Sequence, residues 1–206
     1  MANVIANVLP ERIVQQAVRQ SIREFVGSLG SASVLLVQVT DMGSELAREL
    51  LDASAAPVEP LRAADGFAFG TTVGAPVAPP RSRRYGAPLD ATRLQTMLVK
   101  GPYFVAPLVK RVLAGKTFSE RISVGRARNN DIVLRHRSVS KFHAWFELGE
   151  EEALRLGDAR STNHTLLNGR GVGRELEPVE PGDEIVFGSV ATTLCGTELL
   201  WEALQA

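Results

Sequence analysis

The chain has 206 residues, 45% hydrophobic and 22% charged, and its 23 Lys and Arg balance 23 Asp and Glu to a net charge of zero. This composition is ordinary for a globular protein, and the neutral balance argues against bulk attraction to nucleic acid or anionic lipid. A single cysteine, Cys195, excludes an internal disulfide framework and every multi-cysteine metal pattern. No apolar run approaches the ~18 residues of a membrane helix. The N-terminus lacks a positive n-region, and Pro10 with Glu11 interrupts any apolar leader. No membrane association and a cytoplasmic location are therefore expected. Cys195 falls in an apolar, strand-like run and is expected to be a buried, inert thiol.

In chain order, residues 11–26 set Ile13, Val14, Ala17, Val18, Ile22, Phe25 and Val26 on one helical stripe between Pro10 and Gly27. The run Val34–Val39 reads as a buried strand, and Thr40 or Asp41 can cap a second helix carrying Leu46, Ala47, Leu50 and Leu51. Residues 1–55 thus read as a helix–strand–helix extension. Two roles are open for it: a docking or homo-oligomerisation unit, or a layer packed on the main domain. Residues 56–92 turn to Ala, Pro, Gly and Arg and read as a linker, with a brief hairpin at Asp65–Gly70 and an Arg-rich knot at Pro79–Arg84. Asp90 is placed to cap a short helix over Ala91–Val99.

Within residues 93–206 the pattern changes to short β-type runs. They span Val105–Val112, Glu120–Val124, Ile132–Leu134, His143–Leu148, Ala153–Leu156, Thr165–Leu167, Glu184–Phe187 and Val190–Cys195. Gly, Asn or Asp separates most of them, as in an antiparallel β-sandwich. Glu198–Leu204 closes this domain as a short helix. The fold class expected is mainly β: a sandwich with an N-terminal α/β extension and a C-terminal helix.

The polar residues between these runs form an ordered series. It begins with Gly125-Arg126 and continues with Ser140-Lys141-Phe142-His143, then Ser161-Thr162-Asn163-His164-Thr165 and Asn168-Gly169. It ends with Pro181-Gly182-Asp183-Glu184-Ile185-Val186-Phe187-Gly188. Polar residues on several turns of a rigid sheet stack are where binding sites usually lie. The series resembles the forkhead-associated (FHA) domain, whose pattern runs GR, SxxH, a TNGT-like loop, NG and a late GDxIxFG. The resemblance covers about the last hundred residues. It implies a phosphothreonine-binding module without catalytic residues, cofactor or metal.

The residue chemistry suits that implication. A phosphothreonine carries nearly two negative charges and three acceptor oxygens. Arg126 offers a forked donor set, Ser140 and Thr162 offer hydroxyls, and Lys141 adds a point charge. By resemblance, Arg126, Ser140, Lys141 and Thr162 contact phosphate and Asn163 holds the peptide backbone. Gly125, His143, Asn168 and Gly169 support the site, and His136 is expected to be exposed. Two departures stand out: Lys141 where the family usually has Arg, and His164 where its pattern has Gly. Arg121, Arg126, Arg128, Arg135, Arg137 and Lys141 are opposed only by Asp131 over that stretch. Such a local patch on a neutral protein suits a small anionic ligand better than a long polyanion.

No HExxH, GxSxG or paired-carboxylate motif appears, so an enzyme is not expected. Gly115-Lys116-Thr117 lacks the upstream glycine and following helix of a phosphate-binding P-loop. The expected function is that of a signalling adaptor downstream of Ser/Thr kinases, its partner a Thr-phosphorylated protein such as a kinase or its substrate. The alternative is a scaffold that uses the same loops independently of phosphate. A nucleic-acid-binding role rests only on the basic clusters and is the weakest of the three.

Overall fold

The computed structural model describes residues 11–38, 58–59, 88–99, 103–111, 121–148 and 153–205. Two helices, α1 (Glu11–Arg19) and α2 (Ile22–Leu29), form where a single helix over 11–26 is expected. The break has a local cause. Ser21 and Glu24 make a capping box, in which the Ser21 N–H donates to Glu24 Oε2 at 2.9 Å and Ser21 Oγ accepts from the Glu24 N–H at 3.5 Å. Gly30 ends α2 in the left-handed conformation, φ 67°. The break leaves Val18 exposed, while Ile13, Val14, Ala17 and Phe25 stay buried.

Next come β1 (Ser33–Gln38), β2 (Val58–Glu59), α3 (Ala91–Val99), β3 (Tyr103–Pro107) and β4 (Lys110–Arg111). The Arg93 N–H donates to Asp90 Oδ1 at 2.8 Å, so Asp90 caps α3 as expected. The continuous strand expected over Val105–Val112 instead stops at Pro107, and β4 pairs with β2. The expected helix around Leu46–Leu51, the hairpin at Asp65–Gly70 and the Arg-rich knot lie outside the described residues.

Eight further strands follow: β5 (Arg121–Gly125), β6 (Ile132–Val133), β7 (Ala144–Leu148), β8 (Leu154–Asp158), β9 (Thr165–Leu167), β10 (Arg170–Gly171), β11 (Glu177–Pro178) and β12 (Glu184–Phe187), before β13 (Val190–Gly196) and α4 (Thr197–Gln205) close the chain. β10 and β11, both two residues long, are not anticipated from the sequence, and neither is β2, which falls in the stretch expected to be a linker. One sheet has the order β10-β9-β12-β13-β1-β3 and the other β11-β8-β7-β5-β6. Pairing is antiparallel except between β5 and β6, which run parallel.

The two sheets face each other across a core that includes Leu35, Val37, Phe104, Val124, Phe146 and Phe187. The outer face of the first sheet is covered by the four described helices, with Phe25, Val34, Leu36, Leu94, Leu98 and Leu200 between them. The protein is therefore mainly β, with helices layered on one side of the sandwich. β1 explains why its run is apolar at consecutive positions. It sits between β13 and β3, so Leu35 and Val37 point into the sandwich while Val34 and Leu36 point into the helical layer. Each such side chain contributes roughly 1.5–3 kcal/mol on burial.

The helices are pinned to one another by polar contacts as well as packing. Trp201 Nε1–H donates to the Gln20 carbonyl at 3.0 Å, across the α1–α2 break, and the Gln95 amide donates to the Ala203 carbonyl at 2.9 Å. Cys195 is fully buried against this layer, and burial pushes its thiol pKa up to about 12, as an inert thiol requires. No described helix is long and apolar enough to cross a membrane.

Candidate functional site

Three loops meet at one end of the sandwich: β5–β6 (126–131), β6–β7 (134–143) and β8–β9 (159–164). The first two are bolted together by backbone hydrogen bonds. The Arg126 N–H donates to the Ser140 carbonyl at 2.8 Å and the Ala127 N–H to the Lys141 carbonyl at 3.1 Å. The buried Asn130 side chain adds a strut, its Nδ2 donating to the Ala127 and Lys141 carbonyls at 2.8 and 2.7 Å. Gly125 is required by this close approach, because a Cβ there would lie 2.4 Å from the Lys141 carbonyl oxygen and 2.8 Å from Asn130 Nδ2. The pairing of Gly with Arg in the sequence thus has a steric origin.

Arg126 is exposed, and its Nε donates to the Val139 carbonyl at 3.1 Å. That bond orients the guanidinium and leaves its two terminal nitrogens without a partner among the described residues. Ser140 lies beside it. The Thr162 N–H donates to Ser140 Oγ at 3.1 Å, and the two hydroxyls are 3.4 Å apart. Lys141, the next residue, is exposed. Arg126, Ser140, Lys141 and Thr162 are therefore brought to one rim. Asn163, also exposed, joins them from the third loop, its Nδ2 donating to the Ser138 carbonyl at 2.8 Å. Its Oδ1 and second amide hydrogen face no partner in the described chain.

His143 stands beneath this rim, fully buried. Its Nδ1 accepts from the Ser140 N–H at 3.0 Å, so Nε2 carries the proton and donates to the His164 carbonyl at 3.1 Å. The imidazole therefore ties the loop of Ser140 to the loop of Thr162. Burial lowers its pKa below the usual histidine value, which keeps it in the neutral form these two bonds need.

Asp158 organises the third loop from below. It accepts from the Ser161 N–H at 2.9 Å, the Ser161 hydroxyl at 2.6 Å and the Thr165 hydroxyl at 2.7 Å. Burial alone would raise its pKa, but these donors outweigh it and hold the carboxyl below its ordinary value. The loop it closes contains two non-glycine residues in the left-handed region, Arg160 and His164, each with φ 58°. The family glycine replaced by His164 therefore falls at a position whose backbone favours glycine.

Asn168 and Gly169 lie at the far end of β9, three residues or ~10 Å from the His164 loop. There Asn168 Nδ2 donates to Asp183 Oδ1 at 2.8 Å and Asn168 Oδ1 accepts from the Glu184 N–H at 2.9 Å. Gly169 has φ 78° in the following turn. Asn168 thus braces the start of β12, at the opposite end of β9 from the rim.

Sequence reasoning missed part of the assembly. His136 is half-buried rather than exposed, with Nδ1 2.7 Å from Ser138 Oγ. Ser138 Oγ also accepts from the Ser189 N–H at 2.9 Å, which brings the β12–β13 turn to the same end. Nothing in the local pattern signals a contact across fifty-one positions. The basic patch is also smaller than the sequence implies. Arg121 pairs with Glu147 at 3.0 Å and covers the Trp145 ring at 4.9 Å, on the outer face of the second sheet.

No curated protein matches the chain. Among solved structures, the FHA domain of the CT664 protein from Chlamydia trachomatis is similar at 23% identity, with 42% of this chain and 83% of that chain covered and a TM-score of 0.34. The N-terminal FHA domain of Rad53p from S. cerevisiae, solved with a phosphothreonine peptide, is similar at 24% identity, covering 46% and 88%, with a TM-score of 0.36. EmbR of Mycobacterium tuberculosis, solved with a low-affinity phosphopeptide, is 22% identical over 46% of this chain and 22% of that chain, with a TM-score of 0.36. The family model for the FHA domain matches residues 122–188, the span from β5 to the end of β12 that holds all three loops. On that match and this geometry, the chain carries a forkhead-associated domain at residues 122–188.

Proposed function

We propose that this protein binds phosphothreonine-containing peptides and serves as an adaptor downstream of Ser/Thr kinases. The observation that carries the reading is the convergence of Arg126, Ser140 and Thr162. They stand on three loops, joined by the 2.8 Å Arg126–Ser140 backbone bond and the 3.1 Å Thr162–Ser140 bond. A phosphate seated there meets a guanidinium fork held by Val139, two hydroxyls and the Lys141 ammonium. Charge-assisted bonds of this type are about twice as strong as neutral ones. Asn163 keeps an amide oxygen and hydrogen for the peptide backbone beside the phosphoresidue.

The test is calorimetry of a phosphothreonine peptide against its unphosphorylated twin. Binding of the first alone supports the reading. Equal binding of the two would put the phosphate-independent scaffold in its place.

A further inference from the structure

The site carries more positive charge than one phosphate group neutralises. A phosphoryl dianion brings at most two negative charges, which Arg126 and Lys141 already match. Two more exposed cations lie on the loops of Ser140 and Thr162. Arg137 is on the β6–β7 loop, next to the Ser138 whose carbonyl holds Asn163. Arg160 is on the β8–β9 loop, two residues before Thr162.

Neither nearby acid forms an ion pair with them, and the one charge of Asp158 still leaves four cations in excess of a phosphoryl dianion. Asp131 is buried and committed to the Ser123 N–H at 2.8 Å, the Ser123 hydroxyl at 2.6 Å and Lys110 Nζ at 3.5 Å. Asp158 is buried and turned toward its neutral donors on Ser161 and Thr165. Neither Arg137 nor Arg160 has a side-chain partner in the described chain.

Arg160 is also held in place at a cost. Its backbone sits at φ 58°, where a non-glycine residue is disfavoured. The turn keeps it there through Asp158 on Ser161 and through the Ala159 N–H on the His143 carbonyl at 2.9 Å. The cation thus stands on a rigid turn of the rim rather than on a mobile strand end. The whole chain is neutral, so this concentration is local to the binding end.

We infer that the site selects phosphothreonine peptides bearing a second anionic side chain close to the phosphothreonine, and that Arg137 and Arg160 are the residues that read it. The inference rests on the phosphothreonine reading above. A carboxylate and a second phosphoryl group share the chemistry that two guanidinium groups recognise.

The experiment uses calorimetry on the full chain with four synthetic probes. These are a phosphothreonine peptide with neutral flanks, the same peptide with flanking glutamates, the same with a second phosphothreonine, and the glutamate peptide without phosphate. The expected result is that the glutamate-flanked or doubly phosphorylated peptide binds about 3- to 30-fold tighter than the neutral-flanked one, as two partly exposed ion pairs would give. Whichever of the two gains more identifies the carboxylate or the phosphoryl source. The advantage should shrink as salt rises past ~0.15 M.

In the double variant R137Q/R160G, where glycine suits the left-handed turn, anion-flanked and neutral-flanked peptides should bind alike. Equal affinities in the wild-type chain would overturn the inference and leave phosphothreonine binding standing, as would an advantage that survives in the double variant. Binding of the unphosphorylated glutamate peptide as tightly as its phosphorylated form would overturn both. So would failure of every phosphothreonine probe to bind.

Discussion

Replacing His143 by alanine tests how the rim is held. The imidazole is fully buried, accepts from the Ser140 N–H at 3.0 Å and donates to the His164 carbonyl at 3.1 Å. Its ring also meets Phe187 edge-on, with centroids 5.9 Å apart. The His164 carbonyl keeps a second donor, the Gly188 N–H at 3.0 Å, so losing the imidazole there costs about 1 kcal/mol. The Ser140 N–H has no such reserve, and stranding it costs about 1–3 kcal/mol. Lost ring packing adds about 1 kcal/mol. The expected destabilisation is therefore ~3–5 kcal/mol, read as a lowered urea midpoint. Phosphopeptide binding should weaken as well, because Ser140 and Thr162 lose their common tie.

The same histidine fixes a pH dependence. Its folded pKa lies below the 6.5 of the unfolded chain, so the unfolded state binds the extra proton first. Its contribution is whole above pH 6.5 and is lost as pH falls through the folded pKa. The stability gap between wild type and His143→Ala should accordingly narrow on acidification below pH 6.5. A loss under ~1 kcal/mol, or a gap that widens with acid, would refute the reasoning.

Four other outcomes are expected. Arg126→Ala should keep the fold and cost ~2–5 kcal/mol in phosphopeptide affinity by calorimetry, since a charged partner of the phosphate is removed. His164→Gly relieves a left-handed residue at φ 58° and should bind a phosphothreonine peptide at least as tightly; a clear loss would show that the imidazole touches the ligand. A phosphothreonine peptide should bind several-fold to tens-fold tighter than its phosphoserine counterpart, because one buried methyl contributes roughly 1 kcal/mol and a β-branched residue is stiffer at χ1. Leu35→Ala, in the centre of β1, should cost ~2–5 kcal/mol in chemical denaturation. A neutral result there would mean that the strand is not part of the sandwich core.

Much of the site was legible in the sequence because its chemistry is carried by short local patterns. Gly125-Arg126, Ser140 to His143 and Ser161 to His164 sit on turns between runs of alternating burial, and turns reveal themselves by composition. The Asp90 cap and the late Gly182-Asp183 turn are local in the same sense. The break at Ser21 is equally local, but periodicity runs past it, since the Ser21-x-x-Glu24 box interrupts a stripe whose apolar spacing continues through it.

By itself, then, the sequence marked most of the longer strands, the turns between them that carry polar groups, and the burial of the apolar run at Val34 to Val37. It did not determine what buries them. Only the tertiary structure sets β1 between β13 and β3, pairing Leu35 with Leu194 and with Ala106. Likewise, only folding brings Asn130 to Lys141, His143 to His164, and Ser138 to Ser189. Periodicity reports that a side chain leaves water, because burial depends on its own face of the strand or helix. The partner it meets depends on the register of segments far apart along the chain, and no local residue spacing encodes that choice.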